Sequence, residues 1–132
     1  MSEQLIIIGW SHKNAPVEFR DKLFLSTDEI QRLVKETVQS EFIQELTILS
    51  TCNRTEFYFV SSNTGPLINW VKEKYNINLK PNIDFTDGEP YTHQGSDTIK
   101  HLFRVASGME SMMLGENQIL SQVKTAHEHL LM

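Results

Sequence analysis

Runs of strand-forming residues alternate with one helical stripe along the first half of the chain. Residues 5–9, 45–50 and 56–60 are rich in aliphatic, β-branched and aromatic side chains, and each run has the length of a strand. Residues 12–16 end in proline, which predicts a turn or a helix start. The next helix has three capping candidates, Ser26, Thr27 and Asp28, and an apolar stripe made of Ile30, Leu33, Val34, Thr37 and Val38.

A second helix and a fourth strand follow. Residues 63–66 open a helix that ends near Tyr75, with an apolar stripe made of Leu67, Ile68, Trp70 and Val71. A polar loop at 80–82 separates this helix from a short strand at 90–93. The order strand, helix, strand, strand, helix, strand predicts an α+β fold, a ferredoxin-like βαββαβ sandwich with the helices on one face of the sheet.

From Ser96 the pattern becomes helical. Two apolar stripes are separated by Gly108 and a methionine-rich segment; they comprise Ile99, Leu102, Phe103 and Ala106, then Ile119, Leu120, Val123, Ala126 and Leu130. The last stripe is still periodic at Met132, which predicts a helix that continues further. We therefore expect one domain, with a core in residues 1–95 and a helical extension in residues 96–132 that completes the site.

Composition and charge limit the classes of function. The 132 residues, 39% of them apolar, are enough for one hydrophobic core. The single cysteine excludes an intramolecular disulfide framework, so we expect a reducing cytoplasm. A net charge of −5 argues against general electrostatic binding of nucleic acid, which would need a local basic patch. The best candidate patch comprises Ser11, His12, Lys13, Arg20 and Lys22.

Several common binding patterns are missing from the sequence. No histidine and cysteine spacing matches a zinc site, and the scattered glycines form no strand-to-helix dinucleotide turn. The apolar run at 5–8 is too short to span a membrane and follows Glu3, not a positive charge. We expect no metal, no membrane association and no NADPH site within this chain.

The only cysteine lies between the second and third strand-like runs. Asn53 tolerates the left-handed backbone that a tight turn can need, so we expect a hairpin turn that holds Cys52 with its sulfur near the surface. Arg54 supplies a fixed positive charge, which favours the nucleophilic thiolate or binds a substrate carboxylate through two hydrogen bonds. A buried, inert cysteine is the usual alternative, but its position in the turn favours a reactive one.

His101 is the candidate for proton transfer. It lies off the apolar stripe of its helix, with Asp97 and Arg104 about one turn before and after it, so we expect its ring in polar surroundings. Beside Cys52 it would act as a base, or as the acid for a leaving group. An ordinary surface histidine is the alternative.

Polar residues cluster near the start of the last predicted helix. They are Glu116, Asn117, Gln118 and Gln122, with Ser111 upstream, and Gln118 and Gln122 share one helical face. Such side chains either bind a charged small molecule or cap the helix.

Several segments form one recognisable combination. They are SHKNAP at 11–16, LSTCNRTE at 49–56, HLFRVASGMES at 101–111, LGE at 114–116 and QIL at 118–120. Together they resemble the amino-terminal catalytic domain of glutamyl-tRNA reductase and the start of its long connecting helix, over essentially the whole chain. The family's NADPH-binding and dimerisation domains have no counterpart here.

This resemblance implies a reaction and its residues. In the family, the cysteine attacks the ester carbonyl of glutamyl-tRNA, releases the tRNA and holds glutamate as a thioester. NADPH then reduces the thioester to glutamate-1-semialdehyde for tetrapyrrole (porphyrin) biosynthesis. Cys52 matches the nucleophile and His101 the histidine important for activity. The family's substrate-binding positions fall on Thr51, Asn53, Arg54, Ser111, Glu116, Asn117, Gln118 and Gln122.

The resemblance also implies partners and shows two departures. It implies a cytoplasmic homodimer whose NADPH is bound by a separate domain, with Arg54 facing the glutamate and Glu116 taking its ammonium group. Asn117 stands where the family commonly has proline, and Ser121 where it commonly has glycine.

Two other functions stay open from the residues alone. One is a stand-alone cysteine hydrolase or acyl transferase, which would need a third group to orient His101. Asp97 is the nearby candidate, but it lies one turn away on the same helix and is poorly placed. The other is a non-enzymatic binding module in which Cys52 is inert and alkylates slowly.

Overall fold

The computed structural model describes residues 3–79, 83–95, 98, 100 and 101. Its four strands are β1 (Gln4–Ser11), β2 (Ile43–Ser50), β3 (Arg54–Ser61) and β4 (Tyr91–Gln94). Its helices are α1 (Val17–Leu23), α2 (Thr27–Glu36) and α3 (Leu67–Lys74), with short helical turns at Thr37–Gln39, Tyr75–Leu79 and Phe85–Asp87.

The four strands form one antiparallel sheet in the order β2-β3-β1-β4. Strands β1 and β3 are central, and β3 is buried along almost its whole length. In the register, Gly9 of β1 lies opposite Glu56 of β3 on one side and Tyr91 of β4 on the other. The predicted α+β class and the predicted fourth strand are confirmed.

One face of the sheet packs against the helices. Ile6, Ile8 and Trp10 of β1 and Phe57 and Phe59 of β3 are buried on this face. The helices contribute Phe19, Leu23, Leu33, Leu67, Trp70 and Val71 to the same cluster. Burying a large apolar side chain stabilises the fold by about 1.5–3 kcal/mol, so this face is the main source of stability.

Two buried hydrogen bonds anchor the aromatic centre of this core. The indole N–H of Trp10 donates to the carbonyl of Gly88 at 2.8 Å, and the Tyr75 hydroxyl donates to the carbonyl of Leu23 at 2.7 Å. The two rings meet edge to face, with centroids 6.4 Å apart. These bonds satisfy polar atoms that would otherwise be buried without a partner.

The opposite face of the sheet is buried as well, and it carries charged and polar side chains beside the apolar Ile7 and Leu49. Alternate residues of β3 place Arg54, Glu56 and Tyr58 there, and all three are at most 2% exposed. Strand β3 is therefore buried on both faces, with Phe57 and Phe59 on the apolar side. This charged face carries the candidate site.

The structure refines the predicted elements. The segment after Pro16 forms a separate short helix, α1, which the sequence indicated only as a turn or helix start. Ser26 is the cap of α2, and its hydroxyl and the Glu29 carboxylate form a capping box. The predicted loop at 80–82 and residues 102–132 of the predicted helical extension lie outside the described residues; Thr98, Lys100 and His101 are helical as expected.

Candidate active site

Cys52 lies in the hairpin turn that joins β2 to β3, as predicted. The backbone N–H of Thr51 donates to the carbonyl of Arg54 at 2.8 Å and closes the turn. The Thr51 hydroxyl accepts hydrogen bonds from the N–H groups of Asn53 and Arg54, at 3.2 and 3.3 Å. Such hydroxyl-to-backbone bonds stabilise a tight turn, and the Cys52 side chain between them is exposed.

Two neighbouring elements hold the same turn from outside the hairpin. The backbone N–H of His12 donates to the carbonyl of Asn53 at 3.1 Å, and the guanidinium of Arg20 on α1 donates to that carbonyl at 3.4 Å. The side chains of Thr51 and Asn53 are buried. The exposed thiol is therefore presented by a backbone that is fixed on several sides.

Arg54 begins the charged face of the sheet. It is 1% exposed, and its Nη1 lies 3.6 Å from Oε2 of Glu56, which is fully buried. A buried pair of this kind is favourable only when further hydrogen bonds satisfy both groups. The positive charge that the sequence placed beside Cys52 is thus partly balanced by a carboxylate two residues further along β3.

Glu56 is the centre of a hydrogen-bond network. The Tyr58 hydroxyl donates to its Oε1 at 2.7 Å, the Tyr91 hydroxyl donates to its Oε2 at 2.6 Å, and Nε2 of His101 bonds to the same Oε2. One carboxylate therefore accepts from β3, from β4 and from the helical segment that contains His101.

The network keeps Glu56 ionised. Burial by itself raises the pKa of Glu56, but the hydrogen bond and charge of His101, the charge of Arg54 and the hydrogen bond from Tyr91 together outweigh it, so the pKa lies below its usual range. Burial first, and then the charge of Glu56 and the hydrogen bond to it, raise the pKa of Tyr58 and of Tyr91. Both tyrosines thus remain protonated donors to a negative carboxylate.

Gly9 leaves the space in which this network forms. Strand β1 separates β3 from β4, so Glu56 and Tyr91 meet above it, where Gly9 has no side chain. A Cβ at Gly9 would lie 2.8 Å from Cγ of Glu56 and 2.9 Å from the carbonyl oxygen of Thr55. Only glycine permits this close approach.

His101 is buried and is not a surface histidine. It is 2% exposed, and its ring stacks on His93 with centroids 4.3 Å apart and planes at 25°. The His101 ring also contacts the Tyr91 ring, and their centroids are 5.6 Å apart. The expected polar surroundings are therefore present, but they are the buried network around Glu56.

Cys52 and His101 are connected through β3. Glu56, which bonds to His101, follows Cys52 by four residues, so the Cα atoms of Cys52 and Glu56 are at most about 13 Å apart.

Sequence reasoning missed Glu56, Tyr58 and Tyr91, and gave His93 a weaker claim than His101. An available signal was the acidic residue inside the apolar run of β3, since buried carboxylates need partners. The orienting candidate Asp97 and the predicted substrate-binding residues Ser111, Glu116, Asn117, Gln118 and Gln122 lie outside the described residues.

The described residues contain neither a metal-binding cluster nor a membrane-spanning helix. No group of three or more histidine, cysteine, aspartate or glutamate side chains is placed to hold a metal ion in that part of the chain. No helix within the same residues is both long enough and apolar enough to cross a bilayer.

Comparison with known proteins identifies the family. The model of the glutamyl-tRNA(Glu) reductase N-terminal domain matches residues 8–131. The chain belongs to the glutamyl-tRNA reductase family. Glutamyl-tRNA reductase of Trichodesmium erythraeum is 43% identical over 124 residues, which are 94% of this chain and 29% of that protein. The enzyme of Thermodesulfovibrio yellowstonii is 44% identical over 131 residues, 94% of this chain and 30% of that protein.

A solved structure shares the fold. The chain aligns with glutamyl-tRNA reductase from Methanopyrus kandleri at a TM-score of 0.58 and 34% identity, over 94% of this chain and 27% of that one. The chain thus spans less than a third of the length of these glutamyl-tRNA reductases.

Proposed function

We propose that this chain is the part of a glutamyl-tRNA reductase that transfers the glutamyl group from tRNA to Cys52 as a thioester. The observation that supports this most is the exposed thiol on a held turn, within a segment that matches the family. An exposed thiol is accessible to a substrate, whereas a structural cysteine is usually buried.

The proposed step forms one bond and breaks another. The Cys52 thiolate attacks the ester carbonyl carbon, a carbon–sulfur bond forms, and the carbon–oxygen bond to the terminal ribose breaks. The departing ribose oxygen takes a proton, and His101 is proposed to deliver it. Covalent catalysis of this kind divides one difficult transfer into two easier steps.

Glu56 is proposed to orient His101 for this role. Its carboxylate bonds to Nε2 of the ring and so fixes the orientation of the imidazole. Tyr58 and Tyr91 hold the carboxylate in turn. This division of roles, with a buried acid that orients a histidine, is common in nucleophilic enzymes.

The residues of the turn are proposed to bind the substrate. A guanidinium has five N–H donors, so Arg54 can pair with Glu56 and still bind a carboxylate of the glutamyl group. Thr51 and Asn53 fix the backbone around Cys52. The further substrate-binding residues implied by the resemblance are Ser111, Glu116, Asn117, Gln118 and Gln122.

Reduction of the thioester by NADPH, which would yield glutamate-1-semialdehyde for tetrapyrrole biosynthesis, is proposed for the full-length protein. The described residues contain no glycine-rich turn between a strand and a helix, and so they do not fit a dinucleotide. We assign NADPH to a domain outside this chain, and a cytoplasmic homodimer to the full-length enzyme.

The tRNA is proposed to approach along the basic patch next to Cys52. The backbone of His12 and the side chain of Arg20 contact the residue after Cys52, and Lys13 beside them is exposed. A terminal phosphate of the substrate must lie near the attacked ester, where these cations would attract it.

The sheet is proposed to be ferredoxin-like. The antiparallel order β2-β3-β1-β4 and the alternation of strands and helices support this class. Helix α1, inserted between β1 and α2, is an addition to the simple pattern.

Single-turnover deacylation tests the proposed transfer. Glutamyl-tRNA labelled in the glutamate is mixed with excess chain, and the label that remains on tRNA is followed. We expect wild type to remove the label and Cys52→Ser to leave it in place. Equal deacylation by both proteins would refute the transfer to Cys52.

A cysteine hydrolase is the second candidate, because Glu56 supplies the orienting acid that the sequence had not revealed. With substrate in excess and no reductant, a hydrolase releases free glutamate over many turnovers. An acyl carrier stops after about one equivalent per chain, the burst expected of covalent catalysis. This measurement separates the two candidates.

A further inference from the structure

Arg20 lies against the turn that presents Cys52. Its Nη1 donates to the carbonyl of Asn53 at 3.4 Å, and Asn53 is the residue after the exposed thiol. This contact and standard backbone dimensions place Nη1 at most about 10 Å from the Cα atom of Cys52. The guanidinium is therefore close enough to contact a group that is one ribose away from the attacked ester.

Two arginines approach this turn from opposite faces of the sheet. The side chain of Arg54 lies on the charged face, whereas Arg20 belongs to α1, whose Phe19 and Leu23 pack on the apolar face. The ester of glutamyl-tRNA has the glutamyl group on one side of its carbonyl and the terminal ribose on the other. A glutamyl group held at Arg54 therefore directs the ribose and its phosphate toward α1.

The two arginines also differ in their partners. Nη1 of Arg54 lies 3.6 Å from the carboxylate of Glu56. No carboxylate within the described residues forms an ion pair with Arg20, and its Nε is buried without a hydrogen-bond partner in that part of the chain. A buried donor without an acceptor is unfavourable. A guanidinium binds a phosphate through two parallel N–H bonds, and because Nη1 faces Asn53, the edge formed by Nε and Nη2 remains for this purpose.

We propose that Arg20 is a substrate-binding residue, whose guanidinium bridges the Asn53 carbonyl and the phosphate on the terminal ribose of the tRNA. This bridge fixes the distance between the phosphate and the Cys52 turn, and so places the ester carbonyl over the thiol. The contact is specific to Arg20 and adds to the general attraction of the basic patch. Its assignment to the end of a tRNA rests on the proposed function.

Protection of Cys52 from iodoacetamide measures this contact without any acyl transfer. The probe is the glutamyl amide of 3′-amino-3′-deoxyadenosine, prepared with and without a 5′-phosphate, because an amide does not pass its glutamyl group to a thiol. The chain has a single cysteine, so the alkylation rate reports on this site alone, and its dependence on probe concentration gives the affinity. The two probes are compared within each variant, which cancels any general effect of a substitution on the turn.

Three variants separate a specific contact from general attraction. Arg20→Gln removes the charge and retains an N–H donor for the Asn53 carbonyl. Arg32→Gln, at an exposed position of α2 outside the basic patch, is the matched control. Lys22→Gln removes a charge of the patch two residues further along α1, on a different side of that helix.

We expect the phosphate to improve the affinity of the probe roughly tenfold in wild type and in Arg32→Gln, the usual worth of a charge-assisted hydrogen bond. In Arg20→Gln the two probes should bind within about twofold of each other, because the cation that reads the phosphate is gone. Lys22→Gln should reduce the phosphate preference by less than about twofold, since exposed charges are screened.

Three results would overturn the proposal. They are no protection by either probe, equal affinities of the two probes in wild type, and an equal loss of the phosphate preference in Arg20→Gln and Lys22→Gln. The last result would indicate general attraction by the basic patch. If the phosphate preference depends on Arg20 but Cys52 takes no glutamyl group from tRNA, the proposed transfer is refuted and the phosphate contact stands.

Discussion

Replacement of Glu56 by glutamine should cost far more stability than its small change in shape suggests. The amide retains the size of the side chain but removes the negative charge from a site in which Arg54 is 1% exposed and Glu56 fully buried. It also replaces one acceptor oxygen by an amide donor. The groups that donate to the carboxylate, which are the two tyrosine hydroxyls and Nε2 of His101, would then meet a donor in place of an acceptor.

The magnitude follows from the burial of the pair. Removing one partner of a buried ion pair costs about 3–5 kcal/mol, because the other charge is left without compensation. Neither side chain is exposed enough for solvent to screen this loss. For a domain of 132 residues, 3–5 kcal/mol corresponds to a fall of roughly 10–20 °C in Tm.

Urea and thermal unfolding followed by circular dichroism measure this difference. The matched control is Glu89→Gln, which breaks an ion pair with Lys72 at 3.1 Å in which Glu89 is 68% exposed. Exposed pairs contribute about 0–1 kcal/mol, so this variant should stay close to wild type. If Glu56→Gln lost no more stability than Glu89→Gln, the charged face could not be the organised network described above.

Three further predictions concern the same elements. Because the pKa of Glu56 is lowered in the folded state, its contribution to stability is complete above the unfolded pKa of about 4.5 and is lost as the pH falls through the folded pKa. The free energy of unfolding, measured across an acid titration, should therefore fall more steeply in wild type than in Glu56→Gln. Gly9→Ala should lose about 1–3 kcal/mol of unfolding free energy by overpacking. Gly65→Ala, where the nearest atom to the added Cβ is 3.4 Å away, should change little. Equal urea midpoints for the two variants would contradict the close approach at Gly9. Tyr75→Phe removes the donor to a buried carbonyl and should cost about 1–3 kcal/mol in the same assay; a change under a few tenths would show that the bond is unimportant.

Much of the fold was readable from the sequence. Strand-forming runs and turn residues predicted β1, β2, β3 and the hairpin at Cys52, because local propensity and packing agree there. Helix α1 was harder, since seven residues after a proline carry too short an apolar stripe to distinguish a helix from a turn.

The buried site was much less readable. Glu56 appears in the sequence as an ordinary polar residue inside a strand, and its partners Tyr91 and His101 lie 35 and 45 residues away. Only the register of β3, β1 and β4 brings them together above Gly9. Sequence separation conceals the contacts of Glu56 with Tyr91 and His101. The charge of Arg54 was predicted, but Glu56, two residues later, was not recognised as the carboxylate that partly balances it.

Intact mass spectrometry tests the central claim, that Cys52 carries the glutamyl group, most directly. The chain is mixed with glutamyl-tRNA without NADPH, quenched in acid to preserve a thioester, and weighed beside Cys52→Ser. The account predicts one glutamyl adduct on wild type, removed by neutral hydroxylamine, and no adduct on Cys52→Ser. An unmodified wild-type chain, or an equal adduct on Cys52→Ser, would contradict it.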